Sequence, residues 1–285
     1  MPHTDPAAES RPSCLFAKVY LSAELVDRFL VDVVHPVVAE LVGAGPDQFL
    51  YFFFIRYADA MGFHLRLRFF GSRSAVTGEP RKRLLSALRL AVPGLPVANL
   101  VLDRYRPEWN RYAGRSGLSV SERLFAASSL AVLDFLKLKL RGATKVSRVE
   151  FALVSGEALL DAVGFGPKQR QALFAAGRGG DAPLSAPSED RPDPAKDLTA
   201  ALLPILQASF QDPTAYWRGR EVRLQASARQ MDEEIRRRFG APVAPALRAT
   251  LPRLAPSYLH VHYNRIGIMP REEKVLLNAR SRFAL

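Results

Sequence analysis

The chain has 285 residues, 48% of them hydrophobic and 24% charged, with 40 Lys plus Arg against 28 Asp plus Glu for a formal net charge of +12. This balance excludes a chain disordered by composition and a membrane-embedded one, and the length accommodates one elaborated domain with a sizeable core. The single cysteine, Cys14, excludes an intramolecular disulfide framework and a cysteine-cluster zinc site, and fits a reduced cytoplasm.

The basic excess gathers in RKR at 81–83 and RRR at 236–238. Two readings fit it: solvated helix faces in an arginine-rich sequence, or a surface for an acidic partner such as nucleic acid, an acidic peptide or a carboxylate-bearing substrate. The first dozen residues, MPHTDPAAESRP, lack the basic start and apolar stretch of a signal peptide, and no run approaches the ~18 apolar residues that would span a bilayer. A soluble, cytoplasmic protein is expected, with residues 1–14 as a disordered leader.

In chain order, LFAKVYL (15–21) reads as a strand, and Ser22 as the N-cap of a helix with Leu25, Phe29, Leu30, Val33, Val34, Val37 and Leu41 on its apolar side, ended by Gly43, Gly45 and Pro46. FLYFFFIRY (49–57) is aromatic and β-branched and too short for a helix, so a buried strand is predicted, then a turn at 59–62 and a second strand through HLRLRF (64–69). Its alternation puts His64, Arg66 and Arg68 on one face, and Leu65, Leu67 and Phe69 on the other. RKRLLSALRLAV (81–92) has helical spacing, and VANLVLDRYR (97–106) reads as a strand.

Ser119 and Glu122 have the spacing of a capping box opening a long amphipathic helix through ERLFAASSLAVLDFLKLKL, and a further helix is predicted within 146–162. From 166 to about 196 the composition shifts to Gly, Pro, Ser and Asp, which predicts a mobile loop inside a single domain spanning 15–285. The C-terminal third reads as helical through ALLPILQASF, YWRGREVRLQASARQMDEEIRRRF, SYLHVHYNRIGI and REEKVLLNARSRF. Together these elements predict an α+β fold, a mixed or mainly antiparallel sheet flanked by helices, with a helical C-terminal segment.

The chemistry-bearing residues are arginines beside polar partners. There is no GxxxxGK[ST] loop, no GxGxxG after a strand and no GxSxG elbow, and the five histidines are dispersed apart from His260 and His262, which splay apart if they lie on a helix. No metal or cofactor is expected. Arginine recurs in FIRY (54–57), HLRLR (64–68), YRPEWNRY (105–112) and HVHYNR (260–265). Guanidinium groups on rigid strands grip carboxylates bidentately, and several together hold an anionic leaving group. The bland alternatives are an exposed basic sheet face or pairing with Asp59 or Glu108 for Arg66 and Arg68, a local ion pair for Glu108 and Arg111, and a satisfied, partly buried histidine for His260.

The four stretches FFFIRYADAMGFHLRLRF, YRPEWNRYAG, SERLFAASSLAVL and SYLHVHYNR resemble, in order, the motifs of the C-terminal elimination domain of lantibiotic dehydratases and of its stand-alone relatives in thiopeptide-type bacteriocin biosynthesis. The resemblance runs from about residue 15 to the C-terminus. It implies a lyase of ribosomal peptide natural product biosynthesis that expels glutamate from glutamylated Ser or Thr, leaving dehydroalanine or dehydrobutyrine. Carried over, the arginines of HLRLR are Arg66 and Arg68, the Glu and Arg of E-x-x-R-Y-G-G are Glu108 and Arg111, and the histidine of H-x-x-x-N-R is His260. These five are the expected catalytic residues, the arginines for glutamate and developing charge, His260 for proton transfer in either direction, and Glu108 to orient an arginine or assist as base. Arg56, His64, Asn264 and Arg265 are expected substrate contacts.

The implied partners are a ribosomally made precursor peptide, with a leader and a Ser/Thr/Cys-rich core, and a separate tRNA-dependent glutamylating subunit, with no direct nucleic-acid or membrane contact. Two departures stand out. Ala113 occupies a position where the family commonly has Gly, and Ser128 replaces the acidic residue of an F-x-x-D-S helix motif. They keep open a pyridine synthase, joining two dehydroalanines by formal aza-[4+2] cycloaddition with release of the leader, and a non-catalytic leader-binding subunit.

Overall fold

A computed structural model of the chain describes residues 11–43, 45, 48–89, 96–163, 165–176 and 245–282. Where the sequence suggested one elaborated domain, contacts divide the chain into two compact units, Met1–Arg106 and Pro107–Leu285.

The first unit is a four-stranded sheet in the order β2-β3-β1-β4, formed by β1 (Ser13–Tyr20), β2 (Phe49–Asp59), β3 (Gly62–Gly71) and β4 (Asn99–Asp103). Every neighbouring pair is antiparallel, as the expected α+β fold requires. β1 starts at Ser13, inside the stretch expected to be a disordered leader. Asp59 Oδ1 accepts from the amide of Met61 at 2.9 Å and Gly62 takes φ 115°, which together close the β2–β3 turn.

The period-2 pattern of β3 dictates its two faces. Leu65, Leu67 and Phe69 are fully buried, and Phe52 and Phe54 of β2 are buried with them. Helices α1 (Val26–Phe29) and α2 (His35–Leu41) cover this face, since Arg56, which shares it, reaches Asp27 of α1. α3 (Arg73–Thr77) and α4 (Glu79–Arg89) complete the layer, α4 burying Leu84, Leu85 and Leu88. A one-residue slip of β3 would turn Leu65, Leu67 and Phe69 out of this core, at about 2–3 kcal/mol each. That rivals the whole stability of a typical domain, so the apolar face fixes where the arginines point.

Between α1 and α2 the helix widens into a π turn at Leu30–Val34, just ahead of Pro36. Proline lacks the N–H of the ladder and its ring presses on the preceding turn, which accounts for the widening. Ser22 stands at the N-cap with extended backbone but makes no side-chain bond to the helix amides. Its hydroxyl instead holds the Glu24 carboxyl below its usual range.

The second unit is helical: α5 (Gly114–Leu140), α6 (Arg148–Ala162), α7 (Pro167–Ala176), α8 (Pro245–Ile266) and α9 (Pro270–Arg282). α8 packs on α5, α6, α7 and α9. α5 begins at Gly114, so Ser119 and Glu122 lie inside it and the expected capping box there is wrong. The reciprocal box forms at Ser147 and Glu150 instead, where the Ser147 amide donates to Glu150 Oε2 at 2.7 Å and the Glu150 amide to Ser147 Oγ at 3.1 Å, opening α6. Gly142 and Gly267, at φ 65° and 91°, end α5 and α8. α7 occupies the first part of the segment expected to be a mobile loop; residues 177–196, ALLPILQASF, YWRGREVRLQASARQMDEEIRRRF and RRR at 236–238 lie outside the described residues.

Candidate functional site

In the first unit, the face of the sheet turned away from α1 carries His64, Arg66 and Arg68, flanked by Tyr57, Ile55 and Phe53 of β2 and by Tyr20, Lys18 and Phe16 of β1. The three basic side chains therefore share a face, but their surroundings differ. Arg68 is buried, its guanidinium 4.7 Å from the centroid of Phe16, 5.4 Å from Phe53 and 5.3 Å from Tyr105. An aromatic box of this kind attracts a cation through its ring quadrupoles and lowers the local dielectric, which strengthens any pairing with an anion.

Arg66 lies flat on the Tyr57 ring, 3.3 Å from its centroid, and its Nε donates to His64 Nε2 at 3.3 Å. His64 is fully buried between Tyr20 and Tyr57, with ring centroids at 4.6 and 5.5 Å. Its Nδ1 lies 3.2 Å from the Gly62 carbonyl. An imidazole that accepts at Nε2 and donates at Nδ1 is neutral, and burial pushes its pKa down, in agreement. Tyr20 completes the brace by donating its hydroxyl to Asp59 Oδ2 at 3.0 Å. His64, an expected substrate contact, accepts from Arg66 and braces it.

Arg56 is not part of this face. It pairs with Asp27 Oδ1 at 2.7 Å on the helix side, with side-chain exposures of 10% and 17%. It ties β2 to α1 and does not join Arg66 and Arg68.

In the second unit, Glu108 and Arg111 stand on the turn before α5. Tyr112 anchors that turn, buried in a stack on Tyr258 and edge-on to Phe125. Arg111 Nη1 donates to Glu108 Oε2 at 3.2 Å, both side chains being about half exposed at 47% and 58%. A pair this exposed contributes under about 1 kcal/mol, so Arg111 can exchange Glu108 for another carboxylate at little cost. His260 faces outward on α8, 46% exposed, its Nδ1 2.7 Å from Glu273 Oε2 of α9. The hydrogen bond to Glu273 raises the His260 pKa, against burial and the charge of Arg111.

His262, two residues on, points the opposite way, as the helical setting required. It is fully buried, with Ser128 Oγ 2.8 Å from Nδ1 and Ser155 Oγ 2.7 Å from Nε2. Ser155 donates to the Phe151 carbonyl at 2.5 Å and Arg265 Nη1 donates to Ser128 Oγ at 3.2 Å. These roles fix a one-way chain from Arg265 through Ser128, His262 and Ser155 to Phe151, in which the imidazole is neutral with its proton on Nε2. Arg265, an expected substrate contact, is fully buried in this chain and over the Phe125 ring, whereas Asn264 is half-buried.

Among the described residues no group of three or more His, Cys, Asp or Glu could hold a metal, and no helix is long and apolar enough to cross a membrane.

The family described as lantibiotic biosynthesis dehydratase, C-terminal, matches residues 15–284. The chain belongs to this family. Among solved structures it is similar to the tRNA-dependent lantibiotic dehydratase MibB from Microbispora sp. 107891, at 26% identity and a TM-score of 0.64, over 99% of this chain and 28% of that one. It therefore spans little more than a quarter of MibB. It shares its fold with TsrL, at 16% identity, TM-score 0.61 and 95% and 93% coverage. It also shares it with TbtD, the pyridine synthase from thiomuracin biosynthesis, at 16% identity, TM-score 0.58 and 95% and 97% coverage. No curated protein sequence matches the chain.

Within this dehydratase C-terminal family, the positions carrying the resemblance fall into two kinds. Arg66, Arg68, Glu108, Arg111 and His260 line a sheet face or an exposed turn and helix face. Ser128 and Arg265 are internal to the helical unit. Glu273 and the brace Tyr20 escaped sequence reasoning, Glu273 because nothing in REEKVLL marks one glutamate as the partner of a histidine in another helix, and Asp59, read there as a partner for Arg66 or Arg68, accepts from Tyr20.

Proposed function

We propose that the protein is a peptide-modifying lyase that removes glutamate from glutamylated Ser or Thr of a ribosomally made precursor, leaving dehydroalanine or dehydrobutyrine. The observation that carries this reading is the division between the two neighbouring histidines: His260 is exposed, partnered by a carboxylate and within the field of Arg111, whereas His262 is consumed in the core. A β-elimination needs a proton-transfer group beside cationic groups that stabilise enolate-like charge and a departing carboxylate. Within the second unit His260 supplies the first and Arg111 the second, and Arg66 and Arg68 are the further cations that the family resemblance assigns to the carboxylate. Glu108 holds Arg111 until a substrate carboxylate displaces it.

The replacement of the family's acidic residue by Ser128 does not count against elimination in this reading, because Ser128 is spent on His262 and Arg265 inside the core. Family membership and the likeness to MibB support action on a precursor peptide; in this proposal a tRNA-dependent glutamylating activity supplies the glutamyl group.

The test is mass spectrometry of a glutamylated precursor incubated with the protein. Loss of the glutamate mass with formation of the dehydro residue is expected. Persistence of every adduct sinks the reading, and release of a leader from an already dehydrated peptide replaces it with pyridine synthesis.

A further inference from the structure

Resting on the elimination reading, we infer that Glu273 is a positioning residue of the reaction, which fixes the His260 ring through Nδ1 so that Nε2 faces outward as the base taking the Cα proton. Glu273 is only 12% exposed in its side chain while His260 is 46% exposed, so the carboxylate lies behind the ring and the imidazole presents its far edge. The Nδ1 to Oε2 distance is 2.7 Å, in the range of a charge-assisted bond. A carboxylate there can only accept, so in the neutral ring the proton sits on Nδ1 and the lone pair on Nε2. This is the arrangement by which a buried carboxylate orients a histidine base and stabilises the imidazolium it becomes.

Glu273 is itself held in place. It lies in the first turn of α9, where its amide donates to the Met269 carbonyl at 2.9 Å, and the neighbouring Glu272 carboxylate caps the Met269 amide at 2.6 Å. The helix start immediately after α8 thus delivers one glutamate to a histidine thirteen positions earlier. The charged groups acting on His260 among the described residues are Glu273 from α9 and Arg111 from the turn ahead of α5, with Glu108 paired to Arg111. Glu273 favours the imidazolium and Arg111 opposes it, and the Glu273 bond is the larger effect, raising the pKa.

The step balances without a co-reactant. Nε2 takes the Cα proton and the C–H electron pair becomes the second bond between Cα and Cβ. The Cβ–O bond breaks and glutamate leaves with that pair as a carboxylate, which needs no proton. The imidazolium then returns its proton to water.

The experiment pairs two readouts on the full-length protein. Imidazole NMR with ring nitrogen labelling, assigned by loss of the signal in a His260→Gln protein, follows the titration of His260 in the wild type, Glu273→Gln and Glu273→Asp. Elimination from a glutamylated precursor is followed against pH in the same proteins. The carboxamide of Glu273→Gln still accepts from Nδ1–H but carries no charge, so the His260 titration should move to lower pH. The acid limb of kcat/KM should move with it, and kcat should fall about 10–100-fold. Glu273→Asp should recover part of both, because its shorter carboxylate keeps the charge.

A His260 titration that is the same in Glu273→Gln and wild type overturns the inference, as does an unchanged rate with an unmoved acid limb. If the titration moves as expected but wild-type protein removes no glutamate, the elimination reading fails, and with it the role of His260 as base.

Discussion

The hydroxyl of Ser128 lies 2.8 Å from Nδ1 of His262, and it binds a histidine that never meets solvent. Because Ser155 accepts from Nε2–H while Ser128 donates to Nδ1, the imidazole has no place for a second proton, and burial with the nearby Arg265 charge pushes its pKa down to about 3. Three helices, α5, α6 and α8, are joined through this one ring.

That arrangement sets a pH dependence of stability. The folded pKa of about 3 lies below the unfolded value of about 6.5, so between the two the unfolded chain binds the extra proton. Stability from this group is therefore complete above about pH 6.5 and falls by up to about 1.4 kcal/mol per pH unit as the pH drops toward 3. Denaturant midpoints measured from pH 7 to pH 4 should fall more steeply for the wild type than for His262→Gln, which has no proton to gain.

Restoring the family's acidic residue should reverse the direction of the Ser128 bond. In Ser128→Asp the carboxylate pairs with Arg265 and accepts from His262 Nδ1, so the ring gains a reason to hold two protons. The His262 titration, followed by imidazole NMR, should rise well above that of the wild type. Ser128→Ala leaves Nδ1 buried without its donor and should cost about 1–3 kcal/mol in chemical denaturation.

Arg68 offers a way to separate charge from packing. Arg68→Met keeps an unbranched side chain inside the box of Phe16, Phe53 and Tyr105, so the sheet should survive with little change in far-ultraviolet dichroism. Glutamate removal should drop by about 10² or more if the guanidinium stabilises the leaving carboxylate. The glutamylated intermediate should then accumulate in the mass spectrum.

Ala113 adopts φ 58° and ψ 44° at the entry to α5, a left-handed conformation that costs a residue with a Cβ about 1–2 kcal/mol. Ala113→Gly removes that strain, offset in part by greater freedom in the unfolded chain, and should stabilise the protein by a few tenths to about 1 kcal/mol. A rise in the thermal midpoint is the measurement. The substitution leaves Glu108 and Arg111 as they are.

Gly156 of α6 faces Tyr263 of α8, where a Cβ would meet Tyr263 Oη at 2.7 Å. Tyr263 is buried and cannot swing aside, so Gly156→Ala should destabilise by about 1–3 kcal/mol and lower the denaturant midpoint.

The sheet was legible because alternation is a local signal. HLRLRF could satisfy its apolar half only as a strand, and the Asp59–Gly62 turn reads directly as a hairpin. The capping box at Ser119 misled because the same four-residue pattern occurs at Ser147, and the left-handed turn at Ala113 and Gly114 starts α5 ahead of Ser119 and so leaves that serine inside the helix. Arg56 and Arg265 were grouped with the other arginines by motif proximity alone. Their partners, Asp27 and Ser128, lie 29 and 137 residues away in sequence.

By itself, then, the sequence determined the strands, the antiparallel hairpin, the long helices and the shared face of Arg66 and Arg68, all consequences of period and turn chemistry within a few residues. Only the tertiary structure decided which charged groups are spent internally and which are left for chemistry. His260 and His262 are two residues apart and chemically identical, and the 3.6-residue turn sends one to Glu273 at the surface and the other to two serines in the core. Burial and partner identity come from elements distant in the chain, and they set whether a histidine carries a proton.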